Sequence, residues 1–315
     1  MYRIVRKDFF GVEKIVLLNT LSGEYLSVIP TFGGNINELV LCKQQQLHSI
    51  IVGDETLESL SGMLENAYRG AKLSPFPNRI NNGTYAFNGK HYFFNCNQHP
   101  HALHGLLWNA LFEIKDEKVN EDGVLLVLVK EYNKDDNAYP FQYSIEIEYH
   151  LTAQGFTCIT RLYNNNVEPI LIADGWHPYL SIGGSIDLLL LQIPSQKQLE
   201  LADTLIPTGN YINNTFFQQA NSLKDVTLDH CFELDVLERK VETLLINESK
   251  NVTVVLWQQC GVKGYNFIQV YTPPDRRSIA IEPMTCAPDA FNNKNGVFVL
   301  DPQESVELVF GIHLN

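Results

Sequence analysis

Across most of the chain, apolar and polar side chains alternate one by one rather than recurring at helical spacing. From Tyr143 to Leu151, the residues Tyr143, Ile145, Ile147, Tyr149 and Leu151 share one side, with Ser144, Glu146, Glu148 and His150 on the other. That is the pattern of a strand with one face in a core and one in water. Phe156 to Tyr163 follows after Ala153-Gln154-Gly155, which predicts an antiparallel hairpin. The same texture returns in 124–130, 241–246, 252–257, 267–271, 278–281 and 306–314. Asn-Gly at 82–83 and 88–89 and Asp-Gly at 122–123 mark turns between such runs. Helical signals are confined to 56–62, where Thr56 is placed to cap, and 67–73.

Many strands punctuated by turns, with no alternation of strand and helix, predict an all-β sandwich or barrel. No composition shift or linker divides the chain, so residues 1–315 are expected to form a single domain. A phosphate-binding glycine loop, a dinucleotide fingerprint and a heptad seam are all missing from the sequence, which removes support for those functions.

Charge narrows the partners. The formal charge is −13, from 36 acidic and 23 basic side chains with no basic stripe, which argues against nucleic acid and suits a soluble protein. No apolar run is long enough to span a bilayer. The N-terminal stretch lacks the apolar segment of a secretion signal. Cys42, Cys96, Cys158, Cys231, Cys260 and Cys286 are scattered, without metal-ligand spacing. They are expected to be reduced thiols, which places the protein in the cytoplasm.

Four clusters carry candidate chemistry. In Phe76-Pro77-Asn78-Arg79 the amide and guanidinium offer several donors beside a proline-stiffened turn, which suits a hydroxyl-rich ligand; the aromatic residues that follow read as hairpin packing. His99, His101 and His104 invite a metal, but their spacing is loose and no carboxylate or cysteine is near. His104, set before Gly105 where backbone approaches closely, is the better hydrogen-bonding candidate. His177, in Asp174-Gly175-Trp176-His177-Pro178-Tyr179, is either a packed core residue or a proton donor or acceptor. Glu282, read as following a strand that ends at Ile281, and the pair Asp229-His230 are each either surface groups or cleft groups.

Taken in order, NRINNGTYAFNGKHY, LHG, WHPY, LDH and IEP resemble the aldose 1-epimerase, or galactose mutarotase, family, from about Asn78 to Asn292. The resemblance implies a large antiparallel β-sandwich. It implies that His177 is the general acid at the sugar ring oxygen and Glu282 the general base at the anomeric hydroxyl, on opposite sides of the hemiacetal. Arg79, His104 and Asp229 then match positions that bind sugar hydroxyls, with Asn78 preceding the matching arginine. Such chemistry needs positioned proton transfer and no metal or other cofactor. The expected substrate is a free aldohexose such as galactose or glucose, taken by a monomer or a homodimer. Leu106-Leu107-Trp108 after LHG and the GWHPYL setting of His177 depart from the best-known mutarotases, which leaves another aldose or a modified sugar open. A non-catalytic sugar-binding protein and an enzyme for a phosphorylated sugar are the competing expectations.

Overall fold

The alternation at 143–151 becomes a strand, Gln142–Thr152, whose side chains are buried and partly exposed in strict turn. Tyr143, Ile145, Ile147, Tyr149 and Leu151 have no solvent exposure. Removing the Ile147 side chain beyond Cβ is expected to cost about 2–5 kcal/mol, the range for a filled core position. This strand pairs antiparallel with Gly123–Asn133 on one side and Gly155–Asn164 on the other, the latter through the predicted hairpin. The computed structural model describes residues 1–62, 68–235, 237 and 239–315.

Among the described residues the strands assemble into two large sheets, one of thirteen strands and one of nine. Their apolar faces meet in one core, to which Ile15, Leu17, Val28 and Leu39 come from the larger sheet and Leu126, Leu128, Ile147 and Tyr149 from the smaller. The sandwich expected from the period-two pattern is therefore present. The Asn88-Gly89 turn joins Thr84–Phe87 to Lys90–Phe93 with both turn residues in the left-handed region, the geometry that favours Asn-Gly in a tight hairpin.

The helix expected at 56–62 is present as Leu57–Ser61, capped by the Thr56 side chain accepting from the Ser59 amide. The one expected at 67–73 is not. Its first residue lies outside the described residues, Tyr68, Arg69 and Gly70 form a turn, and Lys72–Leu73 is a short strand paired with Gly175–Trp176. Sheet pairing overrides the weak helical pattern there. Among the described residues no helix is long and apolar enough to cross a membrane, and all six cysteines are free.

Four neighbouring segments of the larger sheet position the site: Tyr179–Leu180, Ile279–Met284, Phe267–Tyr271 and Asp229–Glu233. Their register lines up Tyr179, Ala280, Tyr271 and Asp229 in one row, and Glu282, Gln269 and Cys231 in the next. Residues paired across a ladder point to the same face, so Asp229, Gln269 and Glu282 emerge together. Glu282 thus sits inside a strand that runs on to Met284, not at the start of a loop. Pro283 is accommodated because Ile281 donates to the Pro178 carbonyl at 3.2 Å, so the position two residues later faces the same neighbour where its ladder is interrupted. A missing amide costs little there.

Candidate active site

His177 lies at that interruption. Its amide donates to the Ala71 carbonyl at 3.1 Å and its carbonyl accepts from Gly70 at 2.9 Å, which fixes the backbone on both sides. Beneath it, Lys72 and Asp174 form an ion pair with no side-chain exposure, and Tyr265 donates to the same carboxylate at 2.8 Å. Burial pulls both groups toward their neutral forms, while each supports the charge of the other. The segment carrying His177 is therefore anchored from within the core.

The imidazole meets Glu282 directly. His177 Nε2 stands 3.4 Å from Glu282 Oε1, and the two residues are 4% and 2% exposed, so this is a contact inside the protein rather than a surface ion pair. The two stand side by side at the floor of a cavity.

His104 completes the floor, with its ring centroid 5.2 Å from that of His177. Asn78 and His104 hold each other: the His104 amide donates to the Asn78 carbonyl at 3.0 Å, and the Asn78 amide donates to His104 Nδ1 at 3.1 Å. Both residues are left-handed, with φ of 57° and 64°, a region where Asn and His are enriched. Gly105 follows at φ 73°, and a Cβ there would fall 2.4 Å from the Ser74 carbonyl oxygen, so the tight passage requires glycine. The other two histidines of the cluster do not converge on the site. His99 is exposed, and His101 Nδ1 accepts from the Asn82 amide at 3.2 Å.

Arg79 and Asp229 form the wall. Asn78 spends its side-chain oxygen on its neighbour, accepting from the Arg79 amide at 2.9 Å and from its guanidinium at 3.3 Å. The guanidinium reaches Asp229 at 3.9 Å, and Gln269 donates to the other Asp229 oxygen at 2.6 Å. All six residues expected in the site from the sequence, Asn78, Arg79, His104, His177, Asp229 and Glu282, line one cavity of about 240 Å³.

Gln269, Tyr271, Tyr68 and Gln98 line it too and do not stand out in the sequence. Gln269 had one usable signal, an amide within the apolar run Phe267-Ile268-Gln269-Val270; its Oε1 is buried and meets no partner among the described residues, which marks it for a polar ligand. Tyr68 is held by Asn97, whose amide donates to its hydroxyl at 2.9 Å.

Burial dominates the electrostatics. It pushes Glu282 well above the usual carboxylate range, with Asp229 adding to the rise and Arg79 opposing it. It lowers His177 to about 3 and His104 well below its ordinary value. Burial thus favours the neutral imidazole and disfavours the carboxylate, so His177 and Glu282 are placed to exchange a proton.

His104, His177 and Glu282 each offer an atom within 4.8 Å of the others, the spacing of a three-ligand metal site. The hydrogen bonding argues against one. His104 Nδ1 is occupied as an acceptor, so its proton sits on Nε2, the nitrogen turned to the cavity. With the proton in place that atom is a potential donor and has no lone pair for a cation.

The arrangement can orient a polar molecule with Arg79, Asp229, Gln269 and His104, and exchange protons with it through His177 and Glu282. A larger surface hollow of about 770 Å³, lined in part by Lys197, Glu233, Lys240 and Glu242, has no such pair; its charges neutralise each other at 3.0 Å.

Residues 17–313 match the family model described as aldose 1-epimerase. The chain is 27% identical over 302 residues to the uncharacterized protein YihR of Escherichia coli (strain K12), covering 93% of this chain and 91% of that protein. It is 25% identical to an aldose 1-epimerase of Streptococcus thermophilus, over 98% and 96% of the two chains. A crystal structure of a galactose mutarotase-like protein from Clostridium acetobutylicum superimposes with a TM-score of 0.88 at 20% identity, covering 100% of this chain and 98% of the other, which establishes the shared fold.

Proposed function

Because the chain belongs to the aldose 1-epimerase family, a family of isomerases, we propose that it interconverts the α and β anomers of a free aldohexose such as galactose or glucose. The observation that carries this reading is the contact of His177 and Glu282 at 3.4 Å on the floor of a cavity lined by sugar-orienting groups. The cavity, about 240 Å³, lies just below the range of drug-sized pockets and suits one sugar ring.

Ring opening needs a proton delivered to the ring oxygen and another removed from the anomeric hydroxyl. The bond from C1 to the ring oxygen then breaks and C1 becomes an aldehyde. Rotation about C1–C2 and reclosure, with both protons returned, give the other anomer. The two oxygens hang from one carbon, so an acid and a base standing side by side can serve both. In the proposed division His177 is the acid and Glu282 the base. That needs a proton on His177, a form that burial disfavours. A sugar hydroxyl donating to the carboxylate, together with Arg79, favours the ionised form of Glu282 and transfers the proton to the adjacent imidazole. Arg79, His104, Asp229 and Gln269 orient the remaining hydroxyls. The six free cysteines support the cytoplasm as the place of action.

Polarimetry of freshly dissolved α-anomers, run over a panel of free, 6-phosphorylated and otherwise modified aldoses, tests the proposal. Acceleration for a free hexose is the expected result. Acceleration only for a phosphorylated sugar would move the substrate class. No acceleration for any sugar, with binding retained, would leave a non-catalytic sugar-binding protein.

A further inference from the structure

A histidine that moves protons is ordinarily held by a hydrogen bond on the nitrogen that does not do the chemistry. His177 lacks one. Its Nε2 faces Glu282, while Nδ1 is buried and meets no hydrogen-bond partner among the described residues. Aromatic rings stand in that role. Tyr179 lies parallel to the imidazole, with 6° between the planes and 5.1 Å between the centroids, and His104 meets the ring edge-on. Tyr179 is itself rigid, fully buried and registered against Ala280 in the sheet. Over its ring stands the Arg69 guanidinium, 4.9 Å from the centroid.

We infer that Tyr179 is the positioning residue for His177, a plate that fixes the plane of the imidazole in place of a hydrogen bond, and that Arg69 acts on the histidine from its seat over that plate. The plate sets the plane, and the contact with Glu282 selects which edge faces the floor. The sequence already carries the device, since His177-Pro178-Tyr179 places the two rings two residues apart around a stiff proline.

The charged and titratable groups around the imidazole are few. Glu282 approaches Nε2, His104 and Tyr179 meet the ring, and Arg69 opposes its protonation. Arg79 and Asp229 act one step away, on Glu282. Arg69 is thus the cation whose removal eases charging of His177 without removing a group from the cavity wall.

The catalytic meaning of this arrangement rests on the anomer-interconverting activity proposed above, so its test reads both turnover and the histidine. Tyr179→Phe, Tyr179→Leu and Arg69→Gln are compared with the parent by mutarotation kinetics against pH and by NMR titration of the His177 imidazole. Tyr179→Phe keeps the ring and should retain kcat within about threefold, whereas Tyr179→Leu should lower kcat about tenfold or more with little change in KM. Arg69→Gln should move the His177 titration to higher pH by about half a unit or more. Equal losses in the Phe and Leu variants overturn the inference, because the hydroxyl and not the plate then matters. Parental kcat in Tyr179→Leu also overturns it. Should Tyr179→Leu fail to fold, Arg69→Gln decides alone, and an unmoved His177 titration overturns it. A parent protein with no mutarotase activity, but with His177 still moved by Arg69→Gln, overturns the proposed function and leaves the coupling of Arg69 to His177 standing.

Discussion

Asn78 and His104, twenty-six positions apart, hold one another by two hydrogen bonds: the histidine amide to the asparagine carbonyl at 3.0 Å, and the asparagine amide to the imidazole Nδ1 at 3.1 Å. The second bond decides the tautomer. With Nδ1 accepting, the proton is on Nε2, and His104 offers a donor to the cavity it lines. Exhaustive dialysis against a chelator should accordingly leave mutarotase kcat unchanged. Activity lost on chelation and restored by zinc would show that the bond opens and the ring turns ligand.

The pH profile follows from the shared proton. In the proposed mechanism activity requires one proton across His177 and Glu282. With His177 lowered to about 3, the doubly protonated pair forms only in strong acid, so the acid limb should lie far below the ordinary histidine value of 6.5. With Glu282 raised, the alkaline limb should lie well above the carboxylate range. These limbs belong to the pair, not to either residue alone. A limb in kcat/KM near pH 6.5 would show that His177 is not held neutral in the free enzyme.

Glu282 should also cost stability. Below its unfolded value of 4.5 the carboxyl is protonated in both states. As pH rises from there toward the folded value, the unfolded chain loses the proton and the native state keeps it, so stability falls by up to about 1.4 kcal/mol per pH unit. Glu282→Gln lacks this dependence. The variant should therefore gain on the parent as pH rises from 5 to 8 in denaturant titrations. A stability difference independent of pH would mean that Glu282 is ionised in the native protein.

Kinetic constants should separate the floor from the wall. His177→Asn and Glu282→Gln are each expected to lower kcat by roughly two to four powers of ten. Arg79→Ala and Gln269→Leu should act mainly on KM, since in the proposed mechanism their groups orient hydroxyls without exchanging protons. Near-parental turnover in either floor variant removes that residue from proton transfer, and an unchanged KM in Arg79→Ala removes it from sugar binding.

The sandwich was legible because a half-buried strand writes its two environments into alternate residues, as from Tyr143 to Leu151. The site was legible where polar groups sit in unusual company, such as His177 between Trp176 and Pro178. Two features were hidden for physical reasons. Glu282 looks like a strand end because Pro283 follows, but the interruption that accommodates the proline belongs to a neighbouring strand a hundred residues away. Gln269 and Tyr271 acquire meaning only from the register that sets them beside Glu282 and Asp229, and register is a property of pairing that no single strand encodes.

The Lys72–Asp174 pair under His177 ties the candidate site to assembly. Two charges this deep are costly until each has the other, and they come from segments a hundred residues apart. The chain therefore gains little by ordering the His177 segment before the Lys72 strand docks against it. Closure over such sequence separations is slow, so turnover should return late in refolding, together with the last tertiary contacts and after the local hairpins have formed.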